Sequence, residues 1–234
     1  MISPVIFVKE LGNVNIEAIQ LSNEQDCNLP LLESNGKLKL LSAKDYHDYN
    51  RILLLTWCHL NARYGLPTRE LIDFLKIFIA DKTAIEIGAG HGDLGYHLNI
   101  PCTDSKLQSR PEIALFYKML KQPVIQYPDD VEELEALEAI NKYKPQVVIA
   151  SWVTEYIAPD ETPPPQGGSV HGVNEEQLLD MVDYYILIGN LSVHGDKKIM
   201  KRRHTAYKPS FICSRASNPD DDRIFVWTGN RLNV

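Results

Sequence analysis

The sequence predicts an α/β fold: a doubly wound, mostly parallel seven-stranded sheet, closed by a C-terminal antiparallel hairpin and preceded by a helical N-terminal extension. Three observations carry this expectation. From residue 82 short apolar runs alternate with segments of helical period, the pattern of parallel strands joined by crossover helices. A glycine-rich turn follows the first of those runs, where a strand would pass into a helix. The chain ends on two strand-like segments, 210-SFICSRAS-217 and 223-RIFVWTG-229, joined by the turn formers 218-NPDDD-222.

The elements follow in chain order. Residues 1–41 read as an irregular arm with a short strand at 3-PVIFV-7 and a turn at 33-ESNG-36. Tyr46, Tyr49, Leu53, Trp57 and Leu60 then recur three or four apart, which predicts a helix. Ser42 with Asp45 supplies its capping pair, and Gly65 and Pro67 end it. A second helix carries Leu71, Phe74, Leu75, Phe78 and Ile79 on one face. These parts form an arm and helical cover over 1–80, and the α/β domain takes 81–234.

Within that domain 83-TAIEI-87 is a buried strand leading into the glycine turn and a brief helix. Residues 101-PCTDS-105 fit a second strand and 110-RPEIALFYKML-120 a helix. The segment 123-PVIQY-127 reads as the third strand, and 130-DVEELEALEAINKY-143 as a helix whose stripe is Val131, Leu134, Leu137 and Ile140. Strand 146-QVVIAS-151, helix 175-EEQLLDMVDY-184 and strand 184-YYILIG-189 continue the series. The loop 158-APDETPPPQGGSVHG-172 follows a strand end, where ligands of open α/β sheets sit, so it is a candidate substrate loop.

Composition narrows the class. With 234 residues the chain suits one domain with an elaboration, and 44% hydrophobic with 24% charged residues excludes wholesale disorder. No apolar run approaches the roughly 20 residues of a membrane span. The start has no basic, apolar and small-residue series of a signal peptide, so a cytoplasmic protein is expected. Cys27, Cys58, Cys102 and Cys213 are too far apart for a zinc knuckle or redox dithiol, and no HExxH pair occurs, so no metal is expected. The net charge of −7 is uneven: 121–183 carry 3 basic and 13 acidic residues, 184–234 carry 9 and 4. That acidic middle argues against sequence-independent binding of nucleic acid. The basic run across 197–203 reads as a solvated face that could still meet an anionic substrate.

The informative stretch is 84-AIEIGAGHGDLG-95. Gly88, Gly90 and Gly92 let the backbone turn sharply and approach a ligand closely. Glu86 stands inside the strand, where a carboxylate needs a partner: a cationic ligand or a hydrogen-bonding turn. Two cofactor classes compete. Gly90, Gly92 and Gly95 spell the dinucleotide fingerprint GxGxxG, but that fingerprint puts an acid roughly 20 residues on. Asp104 follows Gly90 by only 14.

The run Glu86-Ile87-Gly88-Ala89-Gly90-His91-Gly92 resembles the first motif of class I S-adenosylmethionine-dependent methyltransferases, which are Rossmann-like. The resemblance covers about 68–230 and includes the closing hairpin. It implies S-adenosyl-L-methionine as cofactor and a transferase as function. It would put Glu86 near the methionine amino group and wrap Gly88, Ala89, Gly90, His91 and Gly92 around methionine and ribose. Asp104, or Ser105 beside it, would take the ribose hydroxyls. Asp129 or Asp130 with Val131 would meet the adenine, and Ser151 and Trp152 would line the sulfonium and the acceptor. Gly92 and Asp104 are 12 residues apart, shorter than the family spacing, so the helix between them has room for only about two turns.

Methyl transfer from a sulfonium needs mainly alignment, with a base for an oxygen or nitrogen acceptor. Glu155, Tyr156, His171 and His194 are the candidates by location. 151-SWVTEY-156 replaces the Asp/Asn-Pro-Pro-aromatic motif of amino-methylating nucleic-acid enzymes, which leaves a small molecule or a protein side chain as the expected acceptor. The alternatives are a non-catalytic binder of the same cofactor and an NAD(P)-dependent oxidoreductase.

Overall fold

The computed structural model describes residues 27–161 and 168–233. The strand expected at 3–7, with the arm to residue 26, and the central part of the 158–172 loop lie outside the described residues. In chain order the elements are α1 (Ala43–His47), α2 (Arg51–Leu60), β1 (Gly65–Leu66), α3 (Arg69–Ile79), β2 (Ala84–Ile87), α4 (Asp93–Leu98) and β3 (Cys102–Asp104). Next come α5 (Pro111–Met119), β4 (Val131–Glu133), α6 (Ala136–Tyr143), β5 (Val147–Ser151), β6 (Glu155–Tyr156) and β7 (Gly168–Ser169). The chain finishes with α7 (Glu175–Leu179), β8 (Tyr184–Asn190), α8 (Leu191–His194), β9 (Thr205–Tyr207), β10 (Cys213–Ser214) and β11 (Asp222–Thr228).

The expected sheet is present: seven strands in the order β4-β3-β2-β5-β8-β11-β9. The first five are mutually parallel, and β11 runs antiparallel to both β8 and β9. Strand alternation sends Val148 and Ala150 of β5 to one face, under Ala139 and Ile140 of α6 and Leu178 and Leu179 of α7. Val147 and Ile149 go to the other face, against Leu71, Ile72 and Leu75 of α3 and Leu94 and Leu98 of α4. Both faces are covered, as strands this uniformly apolar require. The chain leaves β2 toward β3 and β4 on one side and returns through β5 to β8 on the other. The order therefore reverses between β2 and β5, where open α/β sheets have a crevice at their carboxyl ends.

A third core belongs to the cover, where Leu31, Leu38, Tyr46, Leu54, Trp57 and Cys58 pack together. The single helix expected after Ser42 is two. Ser42 and Asp45 form the expected capping box, but α1 stops at Asp48, and the Asn50 side chain starts α2 by accepting from the amides of Ile52 and Leu53.

Two strands differ from expectation, each for a local reason. The segment 123–127 is not a strand: the Ile125 amide donates to Gln108 Oε1 at 2.9 Å, and Ile125 and Tyr127 face a cavity. The third strand is instead β4, whose Val131 pairs with Cys102, so the following helix begins at Ala136 rather than 130. In the closing hairpin β11 pairs with β9, not with 210–217. Cys213 and Ser214 pair with Leu66 and Gly65 of the cover, and Cys213 packs into the cover's core. The β9 edge is exposed and preceded by exposed Lys201, Arg202 and Arg203. Such charges hinder edge-to-edge association. The start of the basic run is otherwise engaged: buried Lys197 pairs with Glu175 at 2.9 Å, and Lys198 with Glu161 at 2.6 Å.

Candidate functional site

The crevice between β2 and β5 opens into a cavity of about 850 Å³. That lies in the upper part of the 300–1,000 Å³ range of small-molecule sites. The glycine turn forms its floor. Gly88, Gly90 and Gly92 all hold positive φ, 55°, 56° and 69°, conformations that exclude most side chains without strain. A Cβ on Gly88 would also lie 2.5 Å from Val153 Cγ1, so this glycine permits the close approach of the segment after β5. Gly92 serves packing instead: a Cβ there would lie 2.7 Å from Val131 Cγ2. Accordingly Gly88, Ala89, Gly90 and His91 line the cavity, and Gly92 does not.

Glu86 is 3% exposed, and its Oε2 accepts from the Gly95 amide at 2.8 Å and the Cys102 thiol at 3.6 Å. Burial, with nearby Asp93 adding to it, pushes its carboxyl up to about 8. The hydrogen-bonding turn is thus one partner of this strand acid, which accepts from the α4 backbone and also lines the cavity. Gly95 explains the tight α4 contact, since a Cβ would be driven into Cys102 Sγ and to 3.0 Å from Glu86 Oε2.

The short spacing to Asp104 is accommodated because α4 is only six residues long. Asp104 ends β3 and lines the cavity beside Ser105. Its Oδ2 accepts from the Gly90 amide and its Oδ1 from the Lys106 amide, both at 2.8 Å. An ionised carboxylate has about four acceptor positions, and with the Tyr127 hydroxyl also engaging it about one remains for a ligand. Burial raises its pKa, opposed by those two backbone bonds.

Asp129, Asp130 and Val131 are not brought to the cavity. Because β4 starts at Val131, the pair lies at the wrong end of the strand. Val131 is fully buried, Asp129 is exposed, and Asp130 pairs with Lys37 of the cover at 2.8 Å. The residues at the carboxyl end of β4 that do line the cavity are Leu134 and Glu135.

On the β5 side Ser151 and Trp152 line the cavity. Trp152 holds φ 60°, which for a bulky residue costs about 1–3 kcal/mol. Its amide donates to the Ile188 carbonyl at 3.0 Å, and its ring meets the edge of His194 at 5.3 Å and tilts toward Tyr64 at 6.5 Å. Of the four base candidates, Tyr156 and His171 line the cavity. Glu155 is turned away: it is buried and accepts from the Lys198 amide at 2.7 Å. His194 stands behind Trp152, with Nδ1 on the Asn190 amide at 3.0 Å, and burial lowers its pKa to about 4.

Several cavity residues had no legible signal. Arg63, 5% exposed, reaches from the cover to pair with Asp93 at the start of α4 and donates to the Gly36 carbonyl at 3.0 Å. It is the only lysine or arginine among the described residues that line this cavity. Arg63 and Lys37, together with burial as the main cause, hold His91 neutral with a pKa lowered to about 3. Asp93 also accepts from the Leu38 amide at 2.8 Å, so the cover is bonded directly to the glycine turn and its helix. An acid directly after the last turn glycine was the one available signal.

No family model and no curated protein matches the sequence. Among solved structures, one match is SMU.776, a protein assigned as a methyltransferase and solved in complex with SAH. It is 9% identical, with a TM-score of 0.32, over 62% of this chain and 44% of that one. The chain therefore spans less than half the length of that protein. The seven-stranded mixed sheet is consistent with the class I methyltransferase fold.

Proposed function

We propose that this chain is an S-adenosylmethionine-dependent methyltransferase whose donor lies across the carboxyl ends of β2, β3 and β4. The observation that carries the reading is the start of α4. In dinucleotide folds the free amides there hold the pyrophosphate. Here Glu86 takes the Gly95 amide, and Asp93 occupies the first helical position. A pyrophosphate would find that amide already taken, whereas a cationic amino group would draw Glu86, neutral without a ligand, into its ionised form. The dinucleotide reading is thereby disfavoured, even though Gly95 performs the packing role of that fingerprint's third glycine.

The donor set fits the group residue by residue. Glu86 would face the amino group, and Arg63, the one arginine or lysine among the described lining residues, the carboxylate. Asp104 keeps an acceptor position for a ribose hydroxyl. Leu134 and Glu135, in place of Asp130 and Val131, would border the adenine. When bound, the cofactor supplies a methyl group already activated on sulfur. The chain's part is alignment, for which good orientation supplies roughly 7–11 kcal/mol. Trp152, fixed by Ile188 and His194, would form the wall between donor and acceptor. Tyr156 and His171 are the remaining candidates to take an acceptor proton, a role worth about 10²–10⁴-fold in rate.

The acceptor is a small molecule or a protein side chain. Calorimetry with S-adenosylhomocysteine tests the donor site, and transfer of labelled methyl into a cell extract separates an enzyme from a non-catalytic binder. Donor binding without any labelled product would leave only the binder.

A further inference from the structure

The cavity is divided by charge. Arg63, Glu86, Asp93, Asp104 and Glu135 are its ionisable Asp, Glu, Lys and Arg side chains among the described residues. All come from the cover, β2 with the glycine turn and α4, and the ends of β3 and β4. The other half is built from the segment after β5, the β6 and β7 strands, the start of α7 and the end of β8, and none of its described lining residues is one of these four types. What it presents instead is aromatic and amide: Trp152, Tyr156, His171, Asn174 and Gln177, with Tyr64 of the cover 6.5 Å from Trp152 at the boundary between the halves.

We propose that the acceptor is an uncharged aromatic or heteroaromatic molecule, its ring set against Tyr64 and Trp152 and its polar substituent on the Asn174 and Gln177 amides. This rests on the methyltransferase reading and names the substrate class of that site. A carboxylate or phosphate drawn into this half would lose hydration with no lysine or arginine among the described lining residues to replace it, Arg215 being stacked on Tyr64 outside the lining. Aromatic walls can also attract a cation. Here, however, the Arg215 guanidinium already lies 3.7 Å from the Tyr64 ring centroid, and a second cation at that ring would be repelled. Trp152 supports a flat ligand for a separate reason: its positive φ and the His194 edge contact hold the indole in a fixed pose. A rigid aromatic surface contributes contact area at little cost in conformational entropy.

Three probes of one shape and different charge test this: benzamide, benzoate and benzylammonium. Each is titrated into the full chain, with and without S-adenosylhomocysteine, and followed by ligand-observed NMR. Calorimetry with S-adenosylhomocysteine comes first, so failure of the donor reading is seen independently of the ring probes. Benzamide should bind at least about tenfold more tightly than either charged analogue. The variant Gln177→Glu adds a carboxylate without changing shape, and should raise the affinity for benzylammonium relative to benzoate by about tenfold. The proposal is overturned if benzoate or benzylammonium binds as well as benzamide, if none of the three binds, or if Gln177→Glu leaves the charge preference unmoved.

Discussion

Glu86 offers a test in which the magnitude follows from the structure. The carboxyl is pushed from 4.5 to about 8, chiefly by burial. The folded chain therefore holds this proton more tightly than the unfolded chain. Its contribution to stability is complete below pH 4.5 and is lost as pH rises toward 8. At about 1.4 kcal/mol per unit, 8 − 4.5 = 3.5 units sets a ceiling near 5 kcal/mol, of which about 2–3 kcal/mol falls between pH 5 and pH 7. The variant Glu86→Gln keeps the shape and an oxygen for the Gly95 amide but cannot titrate. Asp104, Glu175 and Asp222 also have raised pKa values, and they titrate in both proteins, so the difference isolates residue 86. Urea unfolding at pH 5, 6, 7 and 8 reads it. The gap between variant and wild type should move in the variant's favour by about 2–3 kcal/mol from pH 5 to pH 7. Parallel profiles would refute the buried, protonated carboxyl.

Three further outcomes follow. Asp104→Ala removes hydrogen bonds to a charged group, so affinity for S-adenosylhomocysteine should fall by about 1.5–3 kcal/mol, roughly 10- to 150-fold. Asp130→Ala should leave that affinity within about twofold yet lower stability by about 1–3 kcal/mol, because buried Lys37 loses its ion pair; calorimetry and unfolding on both variants separate these roles. Gly95→Ala should cost about 1–3 kcal/mol by overpacking α4 on β3, and Cys102→Ala in the same chain should recover part of it; additive losses in a double-mutant cycle would contradict that collision.

Periodicity made the sheet legible because β2, β5 and β8 are buried on both faces, β5 and β8 reading as nearly continuous apolar runs. It failed where strands are short. The apolar run 123–127 resembles a strand more than 131-VEE-133 does, yet only β4 has backbone partners, and pairing is not encoded in local hydrophobicity. The same gap hid which end of the strand each acid takes: Asp130 precedes β4 and Glu135, which lines the cavity, follows it. The segment 210–217, expected as a strand of the closing hairpin, instead gives Cys213 to the core of the cover. Glu86, the glycines and Asp104 were visible because strained turns and buried carboxylates leave local signatures. Arg63 was not, since its place depends on a contact with Asp93, 30 positions away.

A paired calorimetric titration bears most directly on the central claim, that the acid-capped glycine turn accepts an adenosyl sulfonium rather than a pyrophosphate. The wild-type chain should give a saturable heat with S-adenosylhomocysteine that Asp104→Ala weakens, and no heat with NAD. Saturable binding of NAD, with none of S-adenosylhomocysteine, would contradict it.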